Sequence, residues 1–85
     1  AIENAFKEVD YTPGDVDLIE CHGTATRVGD ATECAVLKEF FGPYLSGRKL
    51  KVTSIKSQIG HAKAAAGAVS IIKAALSLYK KILPP

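Results

Sequence analysis

The sequence predicts a layered α/β fold, and three observations support that prediction. Two short segments rich in β-favouring residues, 16–21 and 50–55, each lead into a loop that carries a histidine. A helical pattern lies between these segments, so the order strand, histidine-bearing loop, helix occurs twice. The last predicted helix, about 62–82, is apolar over most of its circumference and needs neighbours on several sides. A helix that joins two strands of one sheet makes a right-handed crossover, which requires parallel strands.

An amphipathic helix is predicted at the start of the chain. Ile2, Phe6 and Val9 recur at helical spacing, and no capping residue precedes them. A turn signal at 11–14 then separates this helix from the first predicted strand. The uncapped start and the over-apolar last helix together predict that the chain is part of a larger layered domain.

A second helix is predicted between the two strands. Asp30 and Glu33 fit a capping box at its N-terminus, in which each side chain bonds an otherwise free backbone amide. Cys34 lies on the same helical face as Phe41, so we expect its thiol to pack in the core. The Gly-Pro pair at 42–43 ends the helix, because glycine tolerates a left-handed turn and proline cannot extend the helix.

The distribution of charge excludes two classes of partner. Eleven basic and nine acidic residues give a formal net charge of +2 and are spread along the chain. No basic run exceeds two residues, which predicts neither a nucleic-acid nor a membrane-surface partner. Lys63 and Lys73 interrupt the apolar C-terminal stretch, and early charges argue against a signal peptide. Two cysteines make no disulfide framework, so we expect a reducing, cytoplasmic setting.

The two histidines are the candidate functional residues. Both His22 and His61 follow the C-terminal end of a predicted parallel strand, and that edge of an open sheet is where ligands bind. We therefore expect the two imidazoles to face a shared space. His22 lies beside Thr24 and Thr26, which suits a carbonyl-rich ligand, and a neutral His61 can donate to an oxyanion. Taken singly, each histidine is better explained as a loop or capping residue, and only the two together make the functional interpretation equally good.

Lys56 and Cys21 are two further candidates for chemistry. Lys56 is either a surface charge or the partner of a buried carboxylate, for which Glu33 is the candidate. Cys21 precedes His22 in a strand, where consecutive side chains point to opposite faces, so it predicts a buried thiol rather than a nucleophile. The cysteine and histidine spacings match no zinc site, and no glycine-rich phosphate loop occurs.

Two motifs carry a resemblance to a known family. Residues 20–33, ECHGTATRVGDATE, resemble the first histidine motif of β-ketoacyl synthases, and residues 54–67, SIKSQIGHAKAAAG, resemble the second. The final Leu-Pro-Pro is also similar, and the resemblance covers nearly the whole chain. It implies a thiolase-like fold, in which two α/β halves stack as five layers. Residues 1–85 would be part of the C-terminal half, and the nucleophile-bearing half is not among them.

The resemblance implies a decarboxylative Claisen condensation of acyl and malonyl thioesters carried on acyl carrier protein. Polyketide and fatty-acid synthases both contain such ketosynthases, and the sequence does not separate the two. The implied partners are the rest of the ketosynthase domain, the carrier protein and a second copy in a homodimer. No metal or resident cofactor is implied, because the phosphopantetheine arrives on the carrier protein. The implied site residues are catalytic His22, His61, Lys56 and Glu33, and pantetheine-binding Thr24 and Thr26.

Departures from the family pattern are small, but the nucleophilic cysteine is absent from this chain. Ala25 replaces a usual glycine or serine, Gln58 replaces the commoner asparagine, and Lys63 stands where many relatives have an acid or apolar residue. Without the nucleophile, the isolated chain is expected to be inactive. Two alternatives remain open, namely a silent, chain-length-factor-like subunit that shapes the acyl pocket and an unrelated ligand-binding module.

Overall fold

The computed structural model describes residues 1–85 and contains four helices and two strands. Short 3-10 turns at Pro13–Asp15, Gly42–Tyr44 and Lys63–Ala65 connect some of them. The mixed α/β composition agrees with the predicted class. The elements in chain order are α1 (Ile2–Phe6), β1 (Leu18–Glu20), α2 (Arg27–Phe41), β2 (Lys51–Thr53), α3 (Lys56–Ile59) and α4 (Ala66–Lys80).

The two strands pair in parallel, as the strand–helix–strand order predicts. Leu18 lies opposite Lys51, and Glu20 lies opposite Thr53. Helix α2 makes the crossover between them. Parallel pairing brings the C-terminal ends of both strands to one edge, where the two histidine-bearing segments begin.

Both strands are shorter than the predicted segments 16–21 and 50–55. At the start of the first segment, the Val16 carbonyl accepts a bond from the Arg48 guanidinium, at 3.0 Å, instead of joining the ladder. At its end, the Cys21 amide still donates to the Thr53 carbonyl at 2.7 Å, but Gly23 then turns the chain with a φ of +45°. Strand length is therefore set by side-chain contacts and a turn, neither of which a propensity pattern contains.

Helix α2 begins four residues earlier than predicted. Thr26 is its N-cap, with extended backbone angles and a hydroxyl that accepts from the Gly29 amide at 3.2 Å. The predicted capping box of Asp30 and Glu33 is therefore wrong. A threonine already satisfies the free amide upstream, so Glu33 lies inside the helix and is available for another contact.

The core is small and its aromatic part lies at the C-terminal end of α2. The rings of Phe6, Tyr11, Phe40 and Phe41 approach one another with centroids 5.1 to 6.0 Å apart, which attaches α1 to α2. Helix α1 ends at Phe6 rather than continuing to Val9 as the spacing suggested.

The two cysteines differ in burial. Cys21 is buried, as predicted. Cys34 is exposed, so the prediction that it packs in the core is wrong. Helix α2 turns Phe41 inward, and Phe41 is its only buried residue. In a chain with so little interior, a shared helical face does not bury every residue on it.

Helix α4 has an orientation that its composition does not suggest. Its single buried residue is Lys73, whereas Leu78 and Tyr79 are each 80% exposed. The half-buried Ser70 and Ser77 lie on the same stripe as Lys73, so the narrow polar stripe faces the strands. The helix also covers 66–80 rather than 62–82. None of the helices is long and apolar enough to span a membrane.

Candidate functional site

The two histidine rings meet at the C-terminal edge of the sheet. Their centroids are 5.8 Å apart and their planes are nearly perpendicular, at 89°. His22 follows the last residue bonded to β2, and His61 follows Gly60, whose φ of +77° turns the chain after α3. Both histidines are exposed. The predicted convergence of His22 and His61 is therefore confirmed.

A backbone hydrogen bond defines the tautomer of His61. The Lys63 amide donates to His61 Nδ1 at 2.9 Å, so that nitrogen carries no proton. In a neutral imidazole the proton is then on Nε2, which becomes a hydrogen-bond donor. Lys63 adopts a left-handed backbone, with a φ of +49°, in the turn that places this amide. The turn before α4 thus prepares His61 to donate from Nε2.

Glu33 holds the loop that carries His22. Its two carboxylate oxygens accept from the backbone amides of His22 and Gly23, at 2.7 and 2.9 Å. Burial by itself would raise the pKa of Glu33, but the two amides, the Cys21 thiol and nearby His22 outweigh it and hold the pKa below its usual range. The carboxylate is therefore ionised at neutral pH and fixes the start of the first loop.

The predicted ion pair between Lys56 and Glu33 is not formed. Lys56 has no carboxylate within 4.0 Å, and the two ion pairs in the structure join other residues. Both Glu33 oxygens are already bonded to the loop amides, which explains why the pair does not form. Lys56 is half-buried at the start of α3 and has no ionic partner.

The loop that carries His22 and the segment that leads to His61 approach each other closely at Gly23 and Ser54. A Cβ at this position would lie 2.6 Å from Ser54 Cβ and 2.8 Å from Ser54 Oγ, closer than real contacts allow. The Ser54 hydroxyl lies 3.4 Å from the His22 carbonyl, and the φ of Gly23 is +45°. Only glycine satisfies both the backbone angle and the close approach.

A polar cleft of about 400 Å³ lies beside His61. Thr24, Asp30, Lys56 and Ser57 contribute to its wall. Asp30 Oδ1 is buried and has no hydrogen-bond partner, so a buried acceptor lines the cleft. The spacing of Asp30 from Glu33 predicts a capping box and does not predict that Asp30 lines the cleft. Of the two predicted pantetheine-binding threonines, the structure places Thr24 at the cleft and uses the Thr26 hydroxyl as the cap of α2.

A buried ion pair next to the site was not predicted. Lys73 Nζ lies 2.9 Å from Glu20 Oε2, and their side chains are only 6% and 14% exposed. The distance is that of an ion pair, although no acceptor lies in hydrogen-bond geometry around Nζ. A lysine inside an otherwise apolar helix and an acid at the end of a buried strand are the sequence signals that indicate it.

Glu20 is the centre of a wider network at the strand ends. Its carboxylate accepts from the Thr53 hydroxyl at 2.7 Å and from the backbone amide of Ile55. Burial raises the pKa of Glu20, but these two bonds and the Lys73 ammonium prevail and lower it overall. One ionised carboxylate therefore contacts both strand ends and α4.

Cys21 has the properties of an unreactive thiol. Burial, followed by the negative charge of Glu33, raises its pKa to about 11. Nucleophilic attack requires the thiolate, which is scarce at neutral pH for such a group. The prediction of a buried Cys21 that does not act as nucleophile agrees with this environment.

The comparison with known families agrees with the motifs and the site. The family model described as Beta-ketoacyl synthase, C-terminal domain, matches residues 1–85, which is the whole chain. The chain therefore belongs to this family, and the resemblance inferred from the two histidine motifs is confirmed.

The curated relatives of the chain include proteins named as polyketide synthases. It is 40% identical over 85 residues to squalestatin tetraketide synthase clz2 of Cochliobolus lunatus, covering 99% of this chain and 3% of the relative. It is 45% identical over 74 residues to 5-methylorsellinic acid synthase of Aspergillus terreus, covering 87% and 3%. Non-reducing polyketide synthase Dhc5 of Alternaria cinerariae is 37% identical over 83 residues, covering 98% and 4%. The chain thus spans only 3 to 4% of these relatives. No solved structure matches it.

Proposed function

We propose that this chain supplies the malonyl-activating part of a ketosynthase site in a polyketide synthase, for decarboxylative Claisen condensation of carrier-bound thioesters. The observation that carries the proposal is the juxtaposition of His22 and His61, with ring centroids 5.8 Å apart at one sheet edge. Family membership and the polyketide synthases among the relatives support it.

The chemistry follows from where charge develops. When malonyl thioester loses carbon dioxide, the electrons of the breaking C–C bond move onto the α-carbon and the thioester oxygen. Donors aimed at that oxygen stabilise the enolate more than they stabilise the substrate. His61 donates from Nε2, because the Lys63 amide occupies Nδ1. The His22 ring is the second donor to the same oxygen. The carbanion then attacks an acyl thioester on a cysteine outside this chain, and the thiolate leaves.

The other site residues assist in binding and positioning. The Lys56 ammonium lines the same cleft as the Asp30 carboxylate, and it is the cationic group there that suits the malonyl carboxylate before it leaves. Glu33 acts through the backbone, by holding the amides of His22 and Gly23. Thr24, in the cleft wall, and Thr26 offer hydroxyls to the pantetheine arm. The remaining domain, the carrier protein and a homodimeric partner complete the proposed assembly in the cytoplasm, with no resident cofactor.

The proposal is tested by measuring the two half-reactions separately in the intact synthase. We expect His22→Ala and His61→Ala to slow the release of labelled carbon dioxide from malonyl carrier protein by about 10²–10³-fold. Acylation of the domain's cysteine, followed by mass spectrometry, is expected to survive His22→Ala better. Exposed Glu39 on α2 offers a control, since Glu39→Gln removes an exposed charge that forms no ion pair. Wild-type rates of carbon dioxide release in both histidine variants would overturn the proposal.

A further inference from the structure

We infer that Glu20 and Lys73 are positioning residues, which set the second histidine-bearing segment against the first. This inference rests on the proposed function, because the segments concerned carry His22 and His61. Neither residue contacts the cleft, so their effect on the reaction passes through the backbone.

The geometry places Glu20 between the two segments. Glu20 ends β1, two residues before His22. Its carboxylate accepts from the amide of Ile55, the N-cap residue of α3, and α3 leads through Gly60 to His61. The same carboxylate accepts from the Thr53 hydroxyl at 2.7 Å, at the end of β2. One side chain of the first segment therefore holds the backbone of the second.

Lys73 fixes the orientation of that carboxylate. Its ammonium lies 2.9 Å from Glu20 Oε2, the oxygen that also accepts from Thr53, which leaves Oε1 for the Ile55 amide. Buried ion pairs add little net stability compared with apolar residues of the same size, but their geometry is specific. Lys73 is the single buried residue of a helix whose Ile71 and Leu78 are exposed. Lys73 is therefore buried to orient the Glu20 carboxylate and not to bury apolar surface.

The chain offers a matched control at the opposite end of the sheet. Asp17 and Arg48 form the other ion pair, at 2.7 Å, with Asp17 89% exposed. Asp17 immediately precedes β1, as Glu20 ends it. A change at Asp17 removes an ionic partner from the residue before the same strand without touching either histidine segment.

The first experiment measures carbon dioxide release in the intact synthase carrying Lys73→Met, Glu20→Gln, both changes, or Asp17→Asn. Because misplacing reacting groups by 1 Å can cost about 10²-fold, we expect kcat to fall about 10- to 100-fold in each single variant, with KM for malonyl carrier protein little changed. The double variant should be no slower than the slower single variant, since the two side chains act as one unit. Lys73→Arg, which keeps the charge, should recover most of the rate, and Asp17→Asn should match wild type.

The second experiment measures amide hydrogen exchange in the same proteins and does not depend on activity. Loss of the Glu20–Lys73 pair should speed exchange across 54–61 while α2 keeps its protection. If Lys73→Met does not fold, both carbon dioxide release and hydrogen exchange are measured on Glu20→Gln. Glutamine keeps the size of glutamate and one acceptor oxygen, so this variant removes the charge with the least disturbance of the fold.

The outcomes distinguish this inference from the proposed function. Wild-type kcat and wild-type exchange in a folded Lys73→Met, or multiplied losses in the double variant, would overturn the positioning role. If exchange across 54–61 rises while His22→Ala and His61→Ala keep wild-type carbon dioxide release, the structural link stands and the proposed chemistry fails.

Discussion

The two ends of the small parallel sheet carry the same kind of interaction in opposite surroundings. At the N-terminal end, Asp17 and Arg48 pair at 2.7 Å, with side chains 89% and 35% exposed. At the C-terminal end, Glu20 and Lys73 pair at 2.9 Å, with side chains 14% and 6% exposed. The first pair lies at the surface, with its carboxylate almost fully exposed. The second pair lies among three elements, which are β1, α4 and the residues that follow β2.

This difference shows where the fold requires exact placement. An exposed pair is screened by salt and contributes little, because water solvates either partner when the other is removed. A buried pair cannot lose one partner without leaving a charge that nothing compensates. The buried pair lies at the end of the sheet where His22 and His61 meet, so the constrained end is also the end that carries the chemical groups.

The sharpest test of the comparison is to break each pair in the intact ketosynthase domain. We expect Lys73→Met to lower the free energy of unfolding by about 3 kcal/mol, because it leaves Glu20 buried without its ionic partner. We expect Asp17→Asn to change it by about 0 to 1 kcal/mol. Denaturant titration measures both. Equal losses in the two variants would show that the difference in burial has no energetic consequence.

Gly23 tests how closely the two segments approach at the constrained end. Gly23→Ala would place a Cβ 2.6 Å from Ser54 Cβ and force a φ of +45° on alanine. We expect a loss of about 2 kcal/mol in the free energy of unfolding. Gly42→Ala is the matched control, since Gly42 has right-handed helical backbone angles, not the predicted left-handed turn, and open space around it. A Gly23→Ala protein as stable as Gly42→Ala would refute the close approach.

Acid pH tests the carboxylates that hold the constrained end. The folded-state pKa of Glu33 is lowered from its ordinary 4.5, so its stabilisation is present above that value and is lost as the pH falls through the folded pKa. We therefore expect the difference in melting temperature between wild type and Glu33→Gln to be largest at neutral pH. It should shrink as the pH falls below 4.5 and through the lowered folded-state pKa. A difference independent of pH would mean that the ionised carboxylate is not what holds the loop.

The smallest expected effect is a difference in thiol reactivity between the two cysteines. One lies at the constrained end of the sheet and the other on an exposed face of α2. Cys21 is buried with its pKa raised to about 11, whereas Cys34 is exposed on α2. Iodoacetamide near neutral pH should therefore modify Cys34 well before Cys21, because alkylation needs an accessible thiolate. Peptide-level mass spectrometry after timed quenching measures the order. Faster modification of Cys21 would contradict the burial of the strand end.

The sequence predicts that the two histidines meet, but it does not predict which side chains hold the segments that carry them. His22 and His61 could be placed together because a strand–helix–strand order implies parallel strands with a shared C-terminal edge. The spacing of Glu33 from Asp30 fits a capping box. Thr26, four residues before Asp30, is an equally suitable N-cap and is the one that the helix uses. Local spacing does not decide between two possible caps.

The buried lysine was missed for a different physical reason. Periodicity shows which residues of α4 share a face but not which face turns inward. A wide apolar arc suggests that the arc is buried, yet in this chain the narrow stripe with Lys73 faces the strands and Ile71 is 72% exposed. The choice depends on Glu20, which is distant in sequence and which no local pattern connects to Lys73.

The central claim, that this edge activates malonyl groups through donors on the two histidines, is tested most directly at His61. Single-turnover release of carbon dioxide from malonyl carrier protein can be compared in the intact synthase with His61→Gln, His61→Asn and His61→Ala. Because the Lys63 amide occupies Nδ1, the donor is Nε2, and a glutamine amide reaches its position better than an asparagine amide does. We predict that His61→Gln retains more activity than His61→Asn and that His61→Ala is slower than wild type by about 10²–10³-fold. Wild-type release by His61→Ala would contradict the account.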